Sequence, residues 1–223
     1  MRSHGMGLLV EMMDFHPGNE DAVRAWFDED HLGRRLSVPG ICGGATYEAI
    51  KGTPRFLNLY EADSVQNFYG EEFQEILASP SERDSEMKNA ITREVHLVCA
   101  QIYPGLPPSP PACPTVEVAG LSPVIQIGRI FVPPDKTRDF NGWYAQDRAP
   151  RVEKIPGVRR IRRYVPVEGE QVMVVLYELE DESAFEHEAW KEMAATSWTD
   201  RVRGYYRQAD GSPGRYRRRG YAH

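Results

Sequence analysis

The sequence predicts an α+β protein: two tandem ferredoxin-like (βαββαβ) repeats packed sheet to sheet as a pseudo-symmetric α+β barrel. The first observation is that the chain is written twice. Trp26 and Trp143 stand 117 positions apart, and the same offset pairs Asp30 with Asp147, Arg34 with Arg151, Tyr47 with Tyr164 and Gly52 with Gly169. It also pairs Pro39-Gly40 with Pro156-Gly157 and Leu59-Tyr60-Glu61 with Leu176-Tyr177-Glu178. Solenoid repeats recur at roughly 20–50 residues, so a spacing this long means a duplicated domain. The second observation is the proline-dense run from Pro104 to Pro111, which blocks regular structure and forms a semi-rigid spacer. It separates residues 1–103 from 123–223, with a linker over 104–122. The third is that each copy reads in the order β-α-β-β-α-β. Such a sheet carries helices on one face only, and the other copy's sheet is the natural cover for the second face.

Each element has a local reason. Met6–Asp14 and Pro123–Val132 are apolar and strand-like; Val124-Ile125-Gln126-Ile127 has the β-branched character. Helices are predicted over Asn19–His31 and Lys136–Arg148. In the first, Val23, Trp26, Phe27 and Asp30 share a face at helical spacing; in the second, Phe140, Trp143, Tyr144 and Asp147 do. Gly33 and Pro150, at equivalent positions, are expected to stop or kink these helices. Pro39-Gly40 and Pro156-Gly157 are turn dipeptides. Hairpins follow, Ile41–Ile50 with Arg55–Ala62 and Val158–Val167 with Gln171–Leu179, with Gly52 and Gly169 at the tips. A second helix is predicted at Ser64–Ala78 and Glu182–Ala195, and a closing strand at Glu94–Tyr103 and Arg215–Tyr221.

Composition narrows the function classes. A hydrophobic fraction of 41% and a charged fraction of 27% suit a soluble globular protein with a sizeable core. The net charge of −6 argues against nucleic acid or an anionic membrane as partner. The arginine clusters at 159–163 and 215–219 lie on predicted strands, where alternate residues face opposite ways; they read as charged sheet edges first and as ligands for a carboxylate second. Three cysteines, an odd number without a secretory signal, suit a reducing cytoplasm. The apolar start at Gly7-Leu8-Leu9-Val10 is cut by Glu11 and Asp14, too short for a signal or a membrane span. No P-loop, GxGxxG, GxSxG or HExxH is present, and no histidine or cysteine spacing suggests a metal site.

The segments Trp26-Phe27-Asp28-Glu29-Asp30-His31…Val38-Pro39-Gly40-Ile41 and Trp143-Tyr144…Pro150-Arg151…Ile155-Pro156-Gly157-Val158 resemble the signature of EthD-like proteins of the dimeric α+β barrel superfamily. The resemblance spans nearly the whole chain, once per half. Neither copy is complete: Gly33 replaces the proline in the first, and Arg148 replaces the histidine in the second. It implies a small-molecule enzyme, with decarboxylases, dehydratases, cyclases, isomerases and monooxygenases among the relatives.

Within that frame His31 is the leading catalytic candidate, because an imidazole exchanges protons near neutral pH. Its structural alternative is a helix C-terminal histidine favoured by the dipole. Asp30 either orients His31 or pairs with Arg34 four residues on, as Asp147 does with Arg151; the ion pair is the plainer reading. Tyr47, like Tyr164 and Tyr60, supplies a phenol for an oxyanion or simply packs in the sheet. Trp26, Phe27, Tyr60, His96, Arg34, Trp143, Arg148 and Tyr164 are the candidate substrate-binding residues. His96 faces either the barrel interior or a pocket. The sequence thus points to a lyase or isomerase, without metal or organic cofactor, acting on a small cyclic or aromatic carbonyl compound by His31-mediated proton transfer. Alternatives are a cofactor-free monooxygenase on an aromatic substrate and a non-catalytic small-molecule binding protein. A cytoplasmic monomer with an internal pseudo-dimer, or a homodimer, is expected.

Overall fold

The structure, a computed structural model, describes residues 6–104 and 120–222. Most of the expected linker and Cys113 lie outside the described residues. The N-terminal half contains β1 (Gly7–Phe15), α1 (Glu20–Trp26), α2 (Leu32–Leu36), β2 (Ile41–Lys51), β3 (Phe56–Ala62), α3 (Glu71–Ala78), α4 (Glu82–Ala90) and β4 (Ile91–Tyr103). The C-terminal half repeats the order with β5 (Val124–Phe131), α5 (Thr137–Trp143), α6 (Ala149–Val152), β6 (Val158–Glu168), β7 (Met173–Leu179), α7 (Glu188–Glu192), α8 (Ser197–Arg203), a short β8 (Arg207–Gln208) and β9 (Gly214–Ala222).

The two half-sheets form one closed barrel. Neighbours run β7-β6-β4-β1-β3-β2-β9-β5, and β5 pairs again with β7. Every pairing is antiparallel, and β4–β6 and β2–β9 are the seams between the halves. The expectation that the arginine-rich strands are sheet edges is therefore corrected: β6 and β9 are stitched into the opposite half, which removes the unpaired rows that an edge strand exposes.

Strand alternation sets which residues meet where. In β1, Leu8, Val10 and Met12 point into the barrel, against Ile125, Ile127 and Leu176 of the other half. Leu9 and Met13 point out to the helices. Inside the barrel, Glu61 and Glu178, equivalent residues of the two copies, are drawn together by Arg162, which donates to both; Arg160 donates to Glu178 at 2.7 Å. Burial would raise the Glu178 carboxyl, but these two guanidiniums outweigh it and hold it below its ordinary range.

Two departures from the expected helices matter for the site. The first helix of each half does not stop at Gly33 or Pro150. It passes through a wide π-turn, Phe27–His31 or Tyr144–Arg148, and continues as α2 or α6. Pro150 is tolerated because it opens a new α segment, where the missing N–H costs little. His31 and Arg148 thus lie in mid-helix, over the sheet. Widened turns of this kind concentrate at functional sites. The second helix of each half is also shorter than expected, and a third, α4 or α8, follows it. Ser81 and Asp84 cap α4 reciprocally, and Thr196 caps α8. No helix among the described residues is long and apolar enough to cross a membrane.

Candidate active site

His31 is 3% exposed and faces the outer side of β1 from the π-turn. Its Nε2 is 2.8 Å from Oε2 of Glu11, the one charged residue on the helix-facing side of an otherwise apolar stretch of β1. Its Nδ1 is 2.9 Å from Nη1 of Arg35, one turn further along the same helix. Arg35 also donates to Glu11 Oε1 at 3.0 Å, so the three side chains close a ring. From α4, Asp84 brings Oδ1 to 3.7 Å from Nδ1, while the Trp26 indole N–H donates to that oxygen at 2.8 Å and Arg34 donates to its partner oxygen.

The charges dictate the tautomer. A guanidinium only donates, so Nδ1 accepts and Nε2 carries the hydrogen given to Glu11. Burial alone would raise the Glu11 carboxyl; the Arg35 charge and the hydrogen bond from His31 override it and hold the group well below the carboxylate range. Asp84 is held down likewise: the nearby His31 ring, the indole N–H of Trp26 and the backbone N–H of Ser81 outweigh the burial penalty. Both acids are therefore anionic. Glu11 orients the ring, and Nδ1 is the basic atom, with Asp84 placed to stabilise the imidazolium once Arg35 moves aside.

Aromatic rings enclose the imidazole: Trp26, Phe27 and Tyr60 have centroids at 4.3, 5.5 and 6.1 Å. Arg35 lies over the Tyr60 ring at 5.5 Å. Burial pushes the Tyr60 phenol well above its ordinary value, so it stays protonated, and its buried hydroxyl has no hydrogen-bond partner among the described residues. A cavity of about 60 Å³ opens beside the ring, floored by His31, Glu11, Arg35 and Asp84 and rimmed by Ile76, Leu77 and Lys88.

The structure gathers some predicted residues and separates others. His31, Trp26, Phe27 and Tyr60 meet. Arg34 joins through Asp84. His96 stands opposite Glu11 in the β1–β4 register, but it lines a separate groove and not the His31 cavity. Asp30 does not touch His31; it accepts from the Ser81 hydroxyl at 2.5 Å, and Arg34 is not its partner. The expected carboxylate–arginine pair forms only in the second copy, Asp147 with Arg151 at 2.6 Å. Tyr47 points into the barrel, giving its hydroxyl to the Ser122 carbonyl, and Tyr164 is buried in the same interior cluster. The sheet stands between them and His31, so Tyr47 is not the oxyanion partner of that imidazole. Trp143 and Arg148 belong to the other half's helix layer, where Arg148 donates to Tyr177 at 3.2 Å.

Glu11, Arg35, Asp84 and Asn58 were not foreseen as site residues. Asn58, fully buried opposite Glu11 in the β1–β3 register, has neither amide atom hydrogen-bonded. The legible signals were an acid inside an apolar strand and the Ser81-x-x-Asp84 capping spacing.

Comparisons with known proteins agree on the architecture. The sequence profile of the antibiotic biosynthesis monooxygenase (ABM) family matches residues 123–197. No curated protein matches the chain. Among solved structures, an anthrone oxidase-like protein superposes with TM-score 0.59 at 12% identity, over 99% of this chain and 94% of that one. Chlorite dismutase from Candidatus Nitrospira defluvii gives 0.62 at 9%, over 98% and 93%. A protein from Thermus thermophilus described as haem-binding gives 0.61 at 13%, over 98% and 92%. The fold is that of the dimeric α+β barrels, with both halves in one chain.

A haem needs a free axial donor and a slot of roughly 300 Å³ or more. Both nitrogens of His31 are engaged, and the adjoining cavity holds about 60 Å³. In the other half the equivalent space is crossed by the Tyr144–Tyr177 hydroxyl bond of 2.8 Å. The described residues around these two spaces do not fit a haem.

Proposed function

We propose that the N-terminal half is an enzyme site for proton transfer beside a carbonyl in a small cyclic or aromatic compound. The observation that carries this is the buried Glu11–His31–Arg35–Asp84 group next to a cavity. A substrate oxygen entering there competes for Arg35. As the guanidinium turns to it, Nδ1 is released to take the proton from the adjacent carbon. Arg35 then faces the developing enolate oxygen, and Asp84 faces the imidazolium. Glu11 keeps the ring in place through Nε2, as the third member of an acid–base triad does. The cavity is small, so a flat ring enters only as Ile76, Leu77 and Pro80 give way. Returning the proton to another carbon gives isomerisation; passing it to a departing β-hydroxyl gives dehydration, with water released; attack of the carbanion on a second carbonyl of the same molecule, whose oxygen takes the proton, gives cyclisation. The Trp26…His31…Pro39-Gly40 pattern supports kinship with EthD-like proteins.

A second reading is supported by the ABM match and the anthrone oxidase-like neighbour: the same carbanion adds to dioxygen, and the methylene becomes a carbonyl as the other oxygen atom leaves as water, the substrate supplying the electrons, which makes the enzyme a monooxygenase. The match covers the half without the histidine, so it bears on ancestry more than on His31. Part of the same proposal is a cytoplasmic protein whose halves form the pseudo-dimer within one chain, since the closed barrel leaves neither half-sheet with a bare edge.

The test is deuterium exchange at the acidic methylene of 2-tetralone, followed by proton NMR with oxygen consumption recorded in parallel. The wild type accelerates exchange, and His31→Gln lowers the rate about 100-fold. Oxygen uptake selects the monooxygenase reading. Equal rates in wild type and His31→Gln refute the assignment, and bound ketone without exchange makes the protein a carrier.

A further inference from the structure

The two helix layers differ in charge balance: the N-terminal one sets Glu11 and Asp84 against Arg35 and Arg34, and the C-terminal one buries guanidiniums that no described acid matches. The offset of 117 places Gly128 where Glu11 stands, Arg148 where His31 stands and Arg163 where Thr46 stands. Thr199 takes the role of Asp84, receiving the indole N–H of Trp143 at 3.1 Å. Two carboxylates have gone from the C-terminal layer and two guanidiniums have arrived.

Among the described residues neither guanidinium has an acidic partner. Arg163, 4% exposed, gives one hydrogen bond, to Asn141 Oδ1 at 2.6 Å; its Nε is buried without a partner. Arg148, half-buried, donates to the Tyr177 hydroxyl at 3.2 Å. The neighbouring acid Asp147 is taken by Arg151 at 2.6 Å and Thr196 at 2.9 Å. The two cations meet around one pair of phenols. Arg163 lies 4.3 Å over the Tyr144 ring, whose hydroxyl is 2.8 Å from that of Tyr177. Stacking on aromatic rings offsets little of the cost of burying an unneutralised charge. Burial pulls the Arg163 guanidinium below its ordinary value, the direction expected when no anion compensates it.

We infer that the C-terminal helix layer is an anion-binding site, and that its ligand is a flat organic carboxylate held between Arg148 and Arg163. A carboxylate matches the planar fork of a guanidinium, and the rings of Phe140, Tyr144 and Tyr177 suit a flat acid better than a hydrated inorganic anion. The site is independent of the His31 reading and lies in the other half.

Benzoate is the probe, titrated into the full chain by calorimetry, with inorganic phosphate as the comparison. Wild type binds benzoate saturably at one site per chain. Arg163→Met and Arg148→Gln each weaken binding at least tenfold. Gly128→Glu does the same by supplying an internal carboxylate; a Cβ there meets nothing closer than 3.9 Å. His31→Gln binds as wild type does. Should Arg163→Met fail to fold, Arg148→Gln and Gly128→Glu decide. The proposal is overturned by absence of saturable benzoate binding, by binding that survives the arginine and Gly128 changes, by binding lost in His31→Gln, or by preference for phosphate.

Discussion

Trp26 and Trp143 make the same bond to different partners: one indole N–H donates to the Asp84 carboxylate at 2.8 Å, the other to the Thr199 hydroxyl at 3.1 Å. The ring, its helix and the layer beneath are shared between the copies, and the group received from the third helix is not. An acid at that point supports an imidazole; a hydroxyl leaves the space to a guanidinium. Duplication preserved the scaffold while these few positions diverged.

Acid sensitivity follows from Glu11 and Asp84. Both have folded pKa values below their ordinary 4.5 and 3.8. A depressed carboxyl binds fewer protons folded than unfolded, so its stabilisation is complete above the unfolded value and drains as pH falls below it. Urea unfolding should give a flat stability above about pH 5.5 and a decline below about pH 4.5. Glu11→Gln should be less stable at neutral pH and show a shallower acid slope. An unchanged slope would remove Glu11 from the charged network.

Gly33→Ala should raise stability by about 0.5–1 kcal/mol. The residue lies inside α2 rather than at a helix stop, and a Cβ there meets nothing within 4 Å. Thermal unfolding checks it; a lower midpoint would mean the helix ends where the sequence pattern placed its stop.

Glu178→Ala should cost about 3–5 kcal/mol, because it leaves two buried guanidiniums, Arg160 and Arg162, to share Glu61 in the barrel interior. Chemical denaturation measures this. A loss under 1 kcal/mol would show that the interior charges are solvated.

The duplication, the strand order and the helix faces were legible because hydrophobic period and turn residues are local signals. Closure of the barrel was half legible: the exposed sheet face demanded a cover, but the β4–β6 and β2–β9 seams arise from long-range register. His31 stood out by type. Its partners did not, because Glu11 lies 20 positions upstream and Asp84 53 positions downstream, joined to it only by the fold. Tyr47 shows the opposite failure. Its repeat spacing with Tyr164 reflects a matched barrel core, and strand parity, fixed only by knowing which face the helices cover, turns it away from His31.

The most direct test sets Asp84→Asn beside Thr199→Val in the 2-tetralone exchange assay, rates taken per folded molecule. If only the N-terminal layer transfers protons, the first change slows exchange about tenfold or more and the second leaves it within about twofold. Equal losses from both, or no loss from Asp84→Asn, would contradict the division of labour between the halves.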